Sequence, residues 1–136
     1  MLVVDTSAVI GALVGRPPDR QLLDRLGVDG DLQAPHLLDV ELLHGLRRLV
    51  MDGQLSEDRA ADARDDFADL AVARYDHVAL ADRTWELRHS LTAYDATFVA
   101  LAELLDAPLV TCDARLARAP GHRATVELFQ GATPTR

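Results

Sequence analysis

The sequence predicts an α/β fold in three layers, with a central, mainly parallel sheet flanked by helices. Three observations predict it. Two apolar runs, Met1–Val4 and Pro108–Thr111, have the length of buried strands and are too short for helices. The segments between them carry leucines and alanines at helical spacing. Strand-like and helix-like segments alternate along the chain, the pattern of βαβ units closed by right-handed crossovers. At 136 residues and 49% hydrophobic, the chain has the material for one well-filled core. That domain is expected over residues 1–130, with 131–136 as a loose tail.

Taken in order, the first strand covers 1–4 and ends at Asp5. Thr6 or Ser7 is expected to cap a short helix over Ala8–Val14, which Gly15-Arg16-Pro17-Pro18 breaks. Residues 19–26 are helical by leucine spacing and are expected to stop at Gly27. Asp31–Ala34 reads as a short strand, with Pro35 suited to the first turn of the next helix. That helix, 36–51, carries a stripe of Leu38, Leu42, Leu46 and Leu49. Ser56 caps a second long helix over about 57–72, with Glu57 and Asp58 favouring its N-terminal dipole. Tyr75–Leu80 reads as a brief strand or turn, followed by a helix over about 80–90. Thr92 caps a helix over 93–105. After the strand at 108–111 come a helical turn at 114–118 and a last strand near Thr125-Val126.

Composition excludes several functions. There is no lysine, all 14 basic residues being arginine, which removes Schiff-base catalysis, P-loop nucleotide binding and protein-kinase chemistry. With 22 acids the net charge is −8, so the surface as a whole does not grip nucleic acid. No apolar run approaches the roughly 18 residues of a membrane helix. The opening MLVVDTSAVI has an acid and no basic region, unlike a signal peptide. A lone Cys112 fits a reducing, cytoplasmic setting. It closes an apolar strand and is expected to act as a small hydrophobe. His36, His44, His77, His89 and His122 are scattered without zinc spacing, and are expected at the surface or its boundary.

The acids are more informative. Asp5 and Asp113 each follow a buried strand directly, at what should be the same sheet edge. In parallel sheets that edge is where ligands bind. Each also suits a helix N-cap. Asp95 completes a box-like Thr92-Ala-Tyr-Asp95 at a helix start, yet it lies in line with Phe98, Val99 and Ala102. Glu41 sits at the margin of the leucine stripe beside Gly45, and Asp39 on the same helix is its rival; periodicity does not choose between them. Carboxylates converging on one edge repel unless cations lie among them, and oxygen-only ligands suit Mg²⁺ or Mn²⁺.

Four blocks of the sequence resemble the PIN-domain ribonucleases, and within them the VapC toxins of bacterial toxin–antitoxin pairs. These are Val3-Val4-Asp5-Thr6-Ser7-Ala8, the helix Ala34–Arg48, Tyr94-Asp95-Ala96 with Phe98–Ala102 behind it, and Leu109-Val110-Thr111-Cys112-Asp113-Ala114-Arg115-Leu116. They stand in the family's order along almost the whole chain. The resemblance implies a PIN-like fold and places the family's acidic quartet on Asp5, Glu41, Asp95 and Asp113, choosing Glu41 over Asp39. It implies that these acids bind Mg²⁺ or Mn²⁺ and that the chain cuts RNA. Thr6 or Ser7, and Thr111, resemble the hydroxyl residues near the metal. It further implies a homodimer and a cognate VapB-type antitoxin, with no membrane partner. The other reading is a non-catalytic PIN-like module that binds RNA or protein. Given the acidic balance, RNA binding needs arginines around the cleft; the candidates are Arg16, Arg20, Arg47, Arg48, Arg115 and Arg118.

Overall fold

The computed structural model describes residues 1–131, apart from the side chain of Asp29. The strands are β1 (Leu2–Val4), β2 (Leu32–Pro35), β3 (Val72–Tyr75), β4 (Leu109–Thr111) and β5 (Val126–Leu128). All pair in parallel, in the order β3-β2-β1-β4-β5. The helices are α1 (Thr6–Val14), α2 (Arg20–Asp29), α3 (Leu37–Met51), α4 (Glu57–Asp69), α5 (Ala81–Glu86), α6 (Ala93–Leu105) and α7 (Ala114–Arg118). The chain leaves β1 towards β2 and β3, then returns to add β4 and β5 on the other side. Right-handed crossovers therefore put α1–α4 on one face and α5–α7 on the other. Accordingly α1 packs on α2, α3 and α4, and α5 packs on α6. The expected three-layer α/β fold is the observed one.

Burial follows the layers. Leu2, Val3, Val4, Leu109 and Val110 of the central strands are fully enclosed, and the whole run Ala96–Ala102 of α6 is buried over them. In α3 the stripe Leu38, Leu42 and Leu46 is buried, with Leu49 partly so. Gly45 lets α3 approach α1 closely: a Cβ there would lie 2.4 Å from Ile10 Cδ1. No helix among the described residues is long and apolar enough to cross a membrane.

Several element boundaries differ from expectation, each for a physical reason. Asp5, not Thr6 or Ser7, caps α1, accepting from Ala8 N. Helix α2 passes through Gly27 and ends at Gly30, whose φ of 63° supplies the left-handed turn; burial of Leu22 and Leu26 anchors the helix across Gly27. Pro35 closes β2 instead of opening α3, because the next ladder donor is His36 N, which reaches Tyr75 O. The first turn of α3 has no side-chain cap of its own, and Leu37 N donates to His77 Nε2 at 2.9 Å. Helix α4 stops at Asp69, and the strand begins at Val72, because residues 72–75 pair in register with Leu32–Pro35. A 3₁₀ turn at Val78–Leu80 precedes α5, which is shorter than the helix expected over 80–90. The last strand lies slightly later than Thr125-Val126. Ser56 and Thr92 cap α4 and α6 as expected, and α7 has the expected bounds. Gly131, the first residue of the expected tail, donates its backbone N–H to Asp19 Oδ2; the rest of that tail, 132–136, lies outside the described residues.

One ion-paired cluster ties α5 to α6. The Glu103 side chain, 2% exposed, accepts from Arg83 Nε at 2.6 Å and Arg83 NH2 at 3.0 Å, and from Arg123 N at 2.9 Å. Arg83→Ala strips a nearly buried carboxylate of its main partner. A loss of about 2 kcal/mol is expected in urea unfolding, since the carboxylate loses two charge-assisted hydrogen bonds and keeps the Arg123 N–H with the Arg123 guanidinium 3.9 Å away.

Candidate active site

The sheet order reverses direction between β1 and β4, and the carboxyl ends of those two strands make the crevice where parallel sheets bind ligands. Asp5 and Asp113 sit there, just beyond β1 and β4. Val4 pairs with Val110, which puts Asp5 beside Thr111. Asp5 N donates to Val110 O at 3.2 Å, extending the ladder into the site.

Asp5 is 5% exposed. Its Oδ1 accepts from Ala8 N at 2.9 Å and Ser7 Oγ at 2.8 Å, and its Oδ2 accepts from Thr111 Oγ1 at 2.5 Å. Burial pushes its pKa up to about 6 against these hydrogen bonds, which favour the ionised form, and the nearby charge of Asp95 pushes the same way as burial. Ser7 Oγ also accepts from Cys112 N at 2.9 Å, so this one hydroxyl ties the start of α1 to the end of β4. Thr111 is fully buried, and its oxygen accepts from Asp113 N at 3.0 Å. Asp113 caps α7 by accepting from Arg115 N at 2.9 Å, and its Oδ2 lies 3.5 Å from Arg115 NH2.

Asp95 stands half-buried in the first turn of α6, where Asp95 N is held by Thr92 Oγ1. Its pKa is raised, first by burial and then by the charge of Asp113, with Arg115 and Thr92 opposing. Asp5, Asp95 and Asp113 therefore lie within electrostatic reach of one another in sequence, each feeling the next. Glu41 approaches from α3 and accepts from Thr6 Oγ1 at 2.7 Å. Asp39 is turned elsewhere: Arg74 of β3 clamps it with Nε at 3.0 Å and NH2 at 2.8 Å, and that bond lowers its pKa. Glu41→Gln is accordingly expected to reduce activity far more than Asp39→Asn; a nuclease assay on both variants giving the reverse order would transfer the helix acid to Asp39.

Both hydroxyls of Thr6 and Ser7 thus hold an acid, Thr6 on Glu41 and Ser7 on Asp5. Of the six arginine candidates, the structure brings Arg115 to the acids. Arg16 lines a hollow with Asp62, Asp65 and Asp66, and Arg47 lines a groove between α3 and α4 with Glu57 and Arg64. Arg48 lies two turns beyond Glu41 on the same face of α3. Arg20 opens α2 and Arg118 closes α7, both exposed. The histidines lie at the surface or boundary, and Cys112 is half-buried with its thiol pushed up to about 11 by burial, so neither supplies a nucleophile. Sequence reasoning missed a hollow of aromatic side chains next to Asp95; the available signal was Tyr94, the residue immediately before it.

The donor set is all hard oxygen. Among the described residues no three His, Cys, Asp or Glu side chains are gathered into a ready-made cage. Mg²⁺ commonly takes one or two carboxylates and keeps several waters, so a crevice of spaced acids fits such an ion. A buried carboxylate whose pKa is raised by burial and by a second acid is the condition that a cation relieves.

Parallel sheet, switch-point crevice and a row of carboxylates define the class: an α/β domain with acids at the carboxyl edge of its sheet. The PIN domain family matches residues 2–122, and the chain belongs to that family, on its VapC branch. Ribonuclease VapC1 of Mycobacterium tuberculosis (strain ATCC 25618 / H37Rv) is 46% identical over 129 residues, covering 94% of this chain and 97% of the relative. Ribonuclease VapC9 of the same strain is 46% identical over 118 residues, covering 85% and 88%. The crystal structure of VapBC2 from Rickettsia felis, bound to a DNA fragment from their promoter, superposes with a TM-score of 0.69 at 17% identity, covering 93% of this chain and 96% of that one.

Proposed function

We propose that this domain is an endoribonuclease, the toxin of a toxin–antitoxin pair, hydrolysing RNA phosphodiester bonds with Mg²⁺ or Mn²⁺ held by Asp5, Glu41, Asp95 and Asp113. The observation that carries the reading is Asp5: a carboxylate 5% exposed, beyond the central strand, within reach of a second acid's charge. The names of its relatives, both ribonucleases, support the reaction class. When bound, the ion polarises the phosphoryl group and lowers the pKa of water. The protein's own groups do the rest. Ser7 and Thr111 fix the orientation of Asp5, and Thr6 fixes Glu41. Asp95, half exposed and with a raised pKa, is the acid best suited to take the proton of an attacking water. Arg115, whose side chain is 85% exposed, meets the RNA backbone beside the acids.

The test is incubation of the purified protein with total RNA, with Mg²⁺, with Mn²⁺ and with EDTA, followed by mapping of cut ends. Defined cuts that require metal are expected; cutting that persists in EDTA would refute the metal assignment. Intact RNA under every condition would leave the non-catalytic module as the reading.

A ribonuclease working as a homodimer in the cytoplasm needs an inhibitor. We infer a VapB-type antitoxin whose C-terminal region sends an arginine or lysine to the four acids, because arginine pairs with carboxylates through two parallel hydrogen bonds. Co-expression with an adjacent gene product should relieve growth arrest, and changing that basic residue to alanine should restore nuclease activity. Inhibition independent of any basic residue would overturn this mechanism.

A further inference from the structure

At the carboxyl edge of the sheet, next to the acids, α5 and the start of α6 enclose a largely apolar hollow of about 390 Å³. Its walls include Trp85, Tyr94, Arg88, His77 and Leu37, and Thr84 lies on it with a hydroxyl that has no hydrogen-bond partner among the described residues. Trp85 is 67% exposed and Tyr94 60% exposed, although both are large aromatic side chains that a core would normally enclose. The Arg88 guanidinium lies 4.5 Å from the centre of the Trp85 ring and donates to the Trp85 carbonyl, which braces the indole. Two lining residues are neighbours, along their helices, of acids of the active site. Tyr94 directly precedes Asp95, and Leu37 opens the helix that carries Glu41 one turn later.

The geometry points to this hollow as the subsite for an unpaired nucleobase of the RNA substrate, adjoining the phosphodiester that the acids cut. The inference rests on the ribonuclease reading and adds to it where sequence preference arises. Single-stranded RNA is recognised by splaying bases onto aromatic rings and guanidinium planes, and every base offers a flat face for it. Two exposed aromatics and an arginine next to a carboxylate crevice supply those surfaces on a protein whose net charge of −8 gives little general attraction for RNA. A base held against Tyr94 lies one residue along α6 from Asp95.

Trp85 is the only tryptophan of the chain, so its emission reports directly on the hollow. The wild-type protein in EDTA, where RNA is not cut, is titrated with a short unstructured RNA, with an abasic oligonucleotide of equal length and with inorganic phosphate. Saturable quenching by the RNA alone is expected. In parallel, binding of end-labelled RNA is followed by anisotropy for Trp85→Ala, Tyr94→Ala and Trp85→Phe, with melting curves to confirm folding. Each alanine variant is expected to bind about 5- to 150-fold more weakly, the range for loss of one stacked base, while Trp85→Phe retains most of the affinity. No quenching, equal quenching by the abasic chain, or alanine variants within twofold of wild type would overturn the proposal. So would sedimentation showing that Trp85→Ala splits a dimer, which would make the hollow a face between two copies. Base-dependent binding without any metal-dependent cutting would sink the ribonuclease reading and leave the subsite standing; cutting without base-dependent quenching would do the opposite.

Discussion

Asp5→Asn is expected to abolish RNA cleavage while making the protein more stable at neutral pH. The loss of activity should exceed the roughly 10- to 100-fold that follows removal of a residue which merely orients a ligand. The gain in stability follows from linkage. Asp5 has its pKa raised from 3.8 to about 6 in the folded protein, mainly by burial. The folded state therefore holds this proton more tightly than the unfolded state does. The stability it contributes is complete below about pH 4 and is lost as pH rises through about 6, a difference on the order of 2–3 kcal/mol. Asparagine is never ionised, so it escapes that loss at pH 7, and it can still accept from Ala8 N to cap α1. Urea unfolding at pH 7 and pH 4 checks this: the variant should gain at the higher pH and show little difference at the lower. Cleavage at the wild-type rate, or a variant less stable at pH 7, would remove Asp5 from the centre of the site.

Mn²⁺ or Mg²⁺ is expected to raise the melting temperature by several degrees at pH 7.5, and by much less at pH 5. An ion that binds only the folded state stabilises it by about 2.7 kcal/mol at a hundred times its Kd. Under the proposed assignment the ion binds ionised Asp5, and at pH 5 a proton competes for it, lowering the apparent affinity about tenfold relative to a pH well above 6. Asp95, whose pKa is also raised, adds to the same trend. Calorimetry with EDTA and with saturating Mn²⁺ at both pH values measures the difference. An increment equal at the two pH values, or one that survives Asp5→Asn, would place the ion elsewhere.

Much of the architecture was legible because it depends on local chemistry. Ser56 and Thr92 announce the starts of α4 and α6 through hydroxyls that accept from the third residue on. The apolar runs before Asp5 and Asp113 mark the two strands that turn out to lie side by side at the switch point. What escaped depends on partners far along the chain. Nothing near residue 72 signals a strand; it becomes one by pairing with Leu32–Pro35, some forty positions earlier. Pro35 looks like the opening of a helix until His36 is seen taking the ladder bond. The choice between Asp39 and Glu41 is of the same kind. Both lie on α3, and helical periodicity treats them alike. What separates them is Arg74 on one side and Thr6 on the other, each 35 positions away. The resemblance to the family selected Glu41 where the residue pattern could not. The hollow at Trp85 was invisible because α5 is too short for its periodicity to show which face stays uncovered.

Asp5 and Asp113 each do two jobs, ending a strand at the crevice and capping a helix. Asparagine caps a helix as well as aspartate does, so foldability exerts no pressure to keep the negative charge at either position. A lineage freed from the need to cut RNA can drift to asparagine there and keep its shape, its solubility and its family likeness. Inactive descendants of such a protein would therefore be silent to fold comparison and to thermal screening. They would be told apart only by reading the charge at these two residues.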